Sequence, residues 1–189
     1  MTWKDEIVMR EDGILALIAR DPWMMAVIGT AARLDLPDWM IGSGFVRNKV
    51  WDHLHGISRP VVDTADIDHI YFAPADTSED TEKAHDARLR AMLDVNWSAK
   101  NQARMHLLKN APPYTSSEDA MSCWIERATC VAVSLRDGRL VLIAPHGIDD
   151  LVNLVLRPTP FFADRPEVLR DRAAAKQWLT KWPKLRIID

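Results

Sequence analysis

Trp39-Met40-Ile41-Gly42-Ser43-Gly44-Phe45-Val46-Arg47 is the stretch whose reading decides the fold. Its first three residues are short and apolar, as a buried strand requires. Gly42-Ser43-Gly44 then permits a tight turn and a close backbone approach. Val46, Val50, Trp51 and Leu54 follow at helical spacing, which predicts a helix from Phe45 to His55. The unit is therefore strand, Gly-Ser turn, helix. The turn places a serine hydroxyl and the free N–H groups of a helix N-terminus together, an arrangement suited to an anion. Arg47, one turn into the helix, could reach the same anion with two parallel hydrogen bonds. It could equally be an ordinary helix surface residue.

Downstream, Gly56 and Pro60 mark residues 56–65 as loop, and Asp66-Ile67-Asp68-His69-Ile70-Tyr71-Phe72 reads as the next strand. Asp66 and Asp68 stand at i and i+2, so both carboxylates leave one face of that strand. Such a pair can hold one or two magnesium or manganese ions, because hard cations prefer carboxylate oxygens. With 20 aspartates in 189 residues, a single Asp-x-Asp is no more than chance supplies. Its setting gives it weight. Charge beside Ile67, Ile70, Tyr71 and Phe72 is costly unless something compensates it.

The flanks complete an α+β reading: one domain with a mixed sheet of four or five strands and helices around it. Residues 1–36 hold N-terminal helices, the second opened by Asp21-Pro22. Residues 37–145 carry the sheet core and residues 146–189 the C-terminal helices. Thr77 to Asp94 is a polar helix and Trp97 to Met105 a strand. Thr115-x-x-Glu118 is a capping box opening a helix through Ile125. Cys130–Leu135 and Leu140–Ile143, joined by Arg136-Asp137-Gly138-Arg139, form a hairpin. Helices are expected over Ile148–Leu156 and Pro166–Trp182, the latter presenting Trp178 and Trp182 on one face as a docking surface.

Composition narrows the class. Apolar residues make up 48% and charged residues 27%, an ordinary globular balance that excludes wholesale disorder. The longest largely apolar stretch, Trp23 to Ala32, is too short to span a membrane. A net charge of −3 argues against broad nucleic-acid coating. Cys123 and Cys130 fit no disulfide framework or metal spacing, and no signal peptide is evident at the N-terminus, so a cytoplasmic protein with reduced thiols is expected. His53 and His55 point apart on their helix, against a zinc site. Charge is uneven: residues 62–94 hold nine acids against three bases, residues 95–112 hold Lys100, Arg104 and Lys109 with no acid, and from Asp164 onward seven bases face four acids.

Taken together, the chain resembles the nucleotidyltransferase superfamily typified by DNA polymerase beta, and more closely a bacterial family of uncharacterised nucleotidyltransferase-like proteins. The stretches that carry the resemblance are Gly42 to Asp52, Asp66 to Phe72, Lys100-Asn101-Gln102-Ala103-Arg104-Met105-His106, Ala144 to Leu151, and Arg157-Pro158-Thr159-Pro160. The resemblance implies a polymerase beta-like core in which Gly42 and Ser43 hold the triphosphate of an NTP, helped by Arg47 and Lys100. It implies that Asp66 and Asp68 bind Mg2+ or Mn2+, and that a nucleoside monophosphate passes to an acceptor hydroxyl.

Two departures from the superfamily pattern stand out. The 22 residues between Ser43 and Asp66 are more than that superfamily usually has there. Its third carboxylate, often the general base, is missing from Trp97-Ser98-Ala99-Lys100-Asn101-Gln102-Ala103. Either Asp94 swings in, or Asn101 occupies the slot as a neutral ligand, or the protein is a catalytically degenerate nucleotide-binding or protein-interaction module. Lys100 and Arg104 could neutralise phosphate or merely balance Asp66.

Overall fold

The computed structural model describes residues 9–188. A five-stranded mixed sheet is built from β1 (Met40–Gly42), β2 (Ile67–Tyr71), β3 (Trp97–Asn101), β4 (Ala132–Arg136) and β5 (Arg139–Ile143), in the order β3-β2-β1-β4-β5. Only β2 and β3 run parallel, joined across α4 (Glu79–Met92); the β1–β2, β1–β4 and β4–β5 pairs are antiparallel. This is the mixed-sheet α+β architecture expected from the sequence.

Period-2 alternation gives the sheet two unlike faces. Ile41, Ile67, Tyr71, Trp97, Ala99 and Val133 point into the main core. There they meet α1 (Glu11–Ala19), α2 (Pro22–Ala32) and α3 (Gly44–Leu54) through Ile14, Ile18, Val27, Ile28, Phe45, Val46, Val50 and Trp51. Each such fully buried aliphatic side chain contributes about 1.5–3 kcal/mol of transfer free energy. Asp21 caps α2, its side chain accepting from the Met24 N–H at 3.0 Å, with Pro22 at the first helical position. α1 and α2 meet at 93°, and no single described helix is long and apolar enough to cross a membrane. The opposite face carries a smaller cluster of Met40, Ile70, Met121, Cys130, Ala132 and Ile143, and beside this cluster the face is open.

Several predicted elements are shorter than their sequence patterns. The strand expected to reach Met105 stops at Asn101, whose side chain accepts from the Ala103 N–H and starts a 3-10 turn over Gln102–Arg104. After the short α5 (His106–Lys109), α6 (Ser117–Ser122) is capped by Ser116, not Thr115, and ends before Trp124. The helix expected over 148–156 is only α7 (Asp149–Val152); Leu154 then adopts φ 58° and turns the chain into β6 (Val155–Leu156). β6 pairs in parallel with β7 (Arg186–Ile187). The last long helix breaks at Gln177 (φ 55°) into α8 (Pro166–Ala175) and α9 (Trp178–Lys181). That break lets both Trp178 and Trp182 pack edge-on against Trp51, at centroid distances of 5.6 and 5.1 Å. The tryptophan face of the C-terminal helices is a docking surface for α3 within this chain. Cys123 and Cys130 are unpaired thiols.

Candidate active site

Ser43 sits at the junction of β1 and α3 with φ 60° and ψ −129°, a conformation natural to glycine and strained for serine. Its N–H donates to the Val131 carbonyl at 3.0 Å, fixing the turn against the β4 approach. The flanking glycines are needed for separate reasons. A Cβ on Gly42 would come within 3.0 Å of the Trp124 ring, and one on Gly44 within 2.7 Å of Thr64 Oγ1. The long loop after α3 is therefore folded back on the turn. Asn48 donates to the Asp63 carbonyl, and Thr64 Oγ1 donates to the Asp66 carbonyl at 3.0 Å. This loop accounts for the wide sequence separation between Ser43 and Asp66, because it returns the chain to the turn it left.

Asp66 immediately precedes β2 and Asp68 lies within it, on the open face of the sheet. The Ser43 hydroxyl and the Asp68 carboxylate line the same recess. Burial, and then the neighbouring charge of Asp66, push the Asp68 carboxyl up to about 6, against the nearby Ser43 hydroxyl and the Arg47 and Arg172 charges that favour ionisation. Together Asp66, Asp68, Ser43 and Gly44 line a recess of about 410 Å³ whose other walls include Arg47, Arg172, Lys176 and Lys181. On the far side of Asp68 lies a second recess of about 300 Å³, lined mainly by apolar groups such as Ile70, Met105 and Trp124. Ser43, Asp68 and Arg172 belong to both.

Arg47 forms the floor of the polar recess rather than a mobile arm over it. It is 5% exposed, donates to Thr129 Oγ1 at 2.6 Å and to Asn48 Oδ1 at 3.0 Å, and lies 3.6 Å from Glu126 Oε1. Its guanidinium stacks 4.3 Å from the Trp178 ring centroid. Burial lowers its pKa to about 10, so it stays cationic at neutral pH. Glu126 is fully buried, accepts from Thr129 Oγ1, and also pairs with Arg172 Nε at 3.3 Å.

The register separates the residues expected from β3. Asp68 pairs with Ser98 and Ile70 with Lys100, so these four share the open face, whereas Asn101 pairs with Tyr71 on the core face. Asn101 is fully buried and committed to structure: its amide donates to the Ala73 and Asp76 carbonyls, both at 2.8 Å. The expectation that it fills the slot of a third carboxylate is corrected by this register. Asp94 is exposed in the loop before β3 and lines neither recess. Lys100 lines the apolar recess, with its ammonium 3.3 Å from Glu82, and Arg104 pairs bidentately with the same carboxylate at 2.7 and 2.9 Å. The basic segment balances the buried Glu82 of α4, not Asp66.

Sequence reasoning missed Glu126, Thr129, Arg172, Lys176 and Lys181. The available signals were the basic excess after Asp164 and the i, i+4 spacing of Arg172 and Lys176.

A mixed sheet with a Gly-Ser turn facing an aspartate pair defines a nucleotidyltransferase fold. The chain belongs to the nucleotidyltransferase family that matches it over residues 29–187. A solution NMR structure described as revealing a CCA-adding enzyme head domain is 34% identical, with a TM-score of 0.84 over 97% of this chain and 98% of that one. The Thermotoga maritima CCA-adding enzyme in complex with tRNA aligns over 93% of this chain at 16% identity and a TM-score of 0.57. A CCA-adding enzyme solved with CTP gives 16% identity and a TM-score of 0.55. This chain spans only 42% and 43% of the length of those two larger enzymes, and they share its fold. No curated protein sequence matches the chain.

Proposed function

We propose that the protein is a metal-dependent nucleotidyltransferase that moves a nucleoside monophosphate from an NTP to an acceptor hydroxyl. The observation that carries the reading is the convergence of Ser43, Asp66 and Asp68 on one recess at the N-terminus of α3. The donor set suits Mg2+ or Mn2+. Burial, and then the charge of neighbouring Asp66, raise Asp68, and a hard dication would favour the ionised carboxylates against both. Among the described residues no cluster of three or more His, Cys, Asp or Glu could hold a metal, so water and phosphate oxygens would complete the coordination, as Mg2+ commonly requires. Bound there, the ion would supply charge neutralisation at the reacting phosphate.

The chain's own groups do the rest. The Ser43 hydroxyl and the α3 N-terminus bind the phosphates next to Asp68. Arg47 and Arg172 hold positive charge beneath and beside them. The largely apolar recess on the other side of Asp68 offers a surface for the uncharged part of a ligand.

A second reading is favoured by one observation: the open face of β3 opposite Asp68 presents Ser98 and Lys100, with no carboxylate to act as base. On that reading the protein binds nucleotide without turnover.

Thermal shifts with ATP, GTP, CTP and UTP, each with and without Mg2+ or Mn2+, test binding in wild type and in Asp66→Asn/Asp68→Asn. Pyrophosphate release then tests turnover, and a tRNA end, the ligand of the Thermotoga complex, is the first acceptor to assay. A metal-dependent shift lost in the double variant is the expected result; no shift with any nucleotide overturns the proposal.

A further inference from the structure

The cations first expected to bind phosphate are largely engaged elsewhere. Lys100 is held by Glu82, and Arg47 is buried against Glu126, Thr129 and two tryptophans. Triphosphate binding next to Asp66 and Asp68 needs accessible positive charge, and the polar recess draws it from the other end of the chain. Arg172 on α8 and Lys176 one turn later face the recess, joined by Lys181 on α9.

We infer that the C-terminal helices α8 and α9 form the wall that recognises the β- and γ-phosphates of the nucleotide, through Arg172, Lys176 and Lys181. The inference rests on the nucleotidyltransferase reading of the same recess. Arg172 spends only its Nε on Glu126, at 3.3 Å, and no hydrogen bond within the described residues occupies its Nη groups. Lys176 has no acidic partner among the described residues. Lys181 is held 3.2 Å from Asp63 in a pair with both side chains over a third exposed, an interaction weak enough for a phosphate to displace.

The wall is also rigid. Trp178 and Trp182 plug against Trp51, and Trp182 Nε1 donates to the buried Asp52 at 2.8 Å. β7 then stitches the chain back to β6. The backbone that carries the cations is thus held in place, leaving mainly the exposed lysine side chains to order on binding. Four side-chain cations and three carboxylates (Asp63, Asp66, Asp68) line the recess, a balance that suits a dication together with a polyphosphate.

The test compares wild type with Lys176→Gln/Lys181→Gln, both positions exposed and outside the buried Glu126 network. Calorimetric titration uses ATP, ADP and AMP with Mg2+, and inorganic tripolyphosphate alone. Wild type should bind ATP more tightly than ADP and ADP more tightly than AMP. The double variant should lose roughly tenfold per lysine for ATP and tripolyphosphate, while keeping its AMP affinity. ATP and tripolyphosphate binding unchanged in the variant overturns the wall and leaves the nucleotidyltransferase reading intact. Tripolyphosphate binding that depends on the lysines, with no NTP binding, keeps the wall and removes the reading. Wild type that binds none of these ligands overturns both.

Discussion

Arg47 and Glu126, 79 positions apart in sequence, form a buried ion pair at 3.6 Å directly beneath the Gly-Ser turn. The pair joins the first turn of α3 to the segment entering β4, and Arg172 reaches the same carboxylate from α8. Three separate stretches of chain are thereby locked at the site. Removing one partner leaves an uncompensated buried charge, so Glu126→Ala should cost about 3–5 kcal/mol in urea unfolding. Glu126→Gln, which keeps the shape and one acceptor oxygen, should cost less. Equal losses in the two variants would assign the whole effect to the charge, and no loss in Glu126→Gln would show that the charge itself contributes nothing.

Asp68 gives the protein a pH dependence of definite sign. Its folded pKa of about 6 lies above the ordinary carboxylate value of 3.8, so its ionisation destabilises the folded state. The penalty is absent below pH 4, grows as pH rises through 6, and is complete by pH 8. Asp68→Asn should therefore melt near wild type at pH 4 and be more stable by roughly 1–3 kcal/mol at pH 8. Mn2+ should raise the melting temperature of wild type at pH 8 and have little effect at pH 5, where a proton competes for the carboxylate.

Ser43 sits where glycine would be relaxed. Ser43→Gly should raise stability by about 1 kcal/mol through relief of the left-handed strain, while losing the hydroxyl that meets Asp68. Opposite movements of melting temperature and nucleotide affinity would mark the strain as serving the site. Loss of both would contradict that.

Much of this site could be read directly from residue spacing, and the failures have physical causes. Strand, Gly-Ser turn and helix follow from apolar triplets and 3.6-residue periodicity, which are local. The Asp66/Asp68 pair was legible because alternation on a strand is local too. Asn101 was misplaced although the alternation of Trp97 and Ala99 with Ser98 and Lys100 already puts it on the core face, because the polarity of its amide outweighed its position in the strand; the pairing of Tyr71 with Asn101 shows the face directly. Arg104 and Lys100 looked like anion binders because their partner Glu82 lies on another element. Arg172 and Glu126 were invisible for the same reason: their meaning is a contact 46 residues apart. The helix predicted over 166–182 broke at Gln177 because two tryptophans gain more against Trp51 than the backbone loses in one left-handed residue.

The Trp182–Asp52 hydrogen bond separates packing from polarity. Trp182→Phe should retain most of the contact with Trp51 and lose about 1–3 kcal/mol by leaving buried Asp52 short of a donor. Trp182→Ala should lose about 3–5 kcal/mol. Chemical unfolding of both variants measures the difference, and identical losses would assign the whole effect to the hydrogen bond and none to packing.

The parallel pairing of β6 with β7 has a consequence for biosynthesis. The polar recess is walled by residues 172–182, and the segment beyond them is fastened only when Arg186 and Ile187 meet Val155 and Leu156. A ribosome-bound chain can pair its sheet and form the Gly-Ser turn long before those residues emerge. It carries the aspartates early and these opposing cations late, so the recess is complete only after residues 172–187 have emerged.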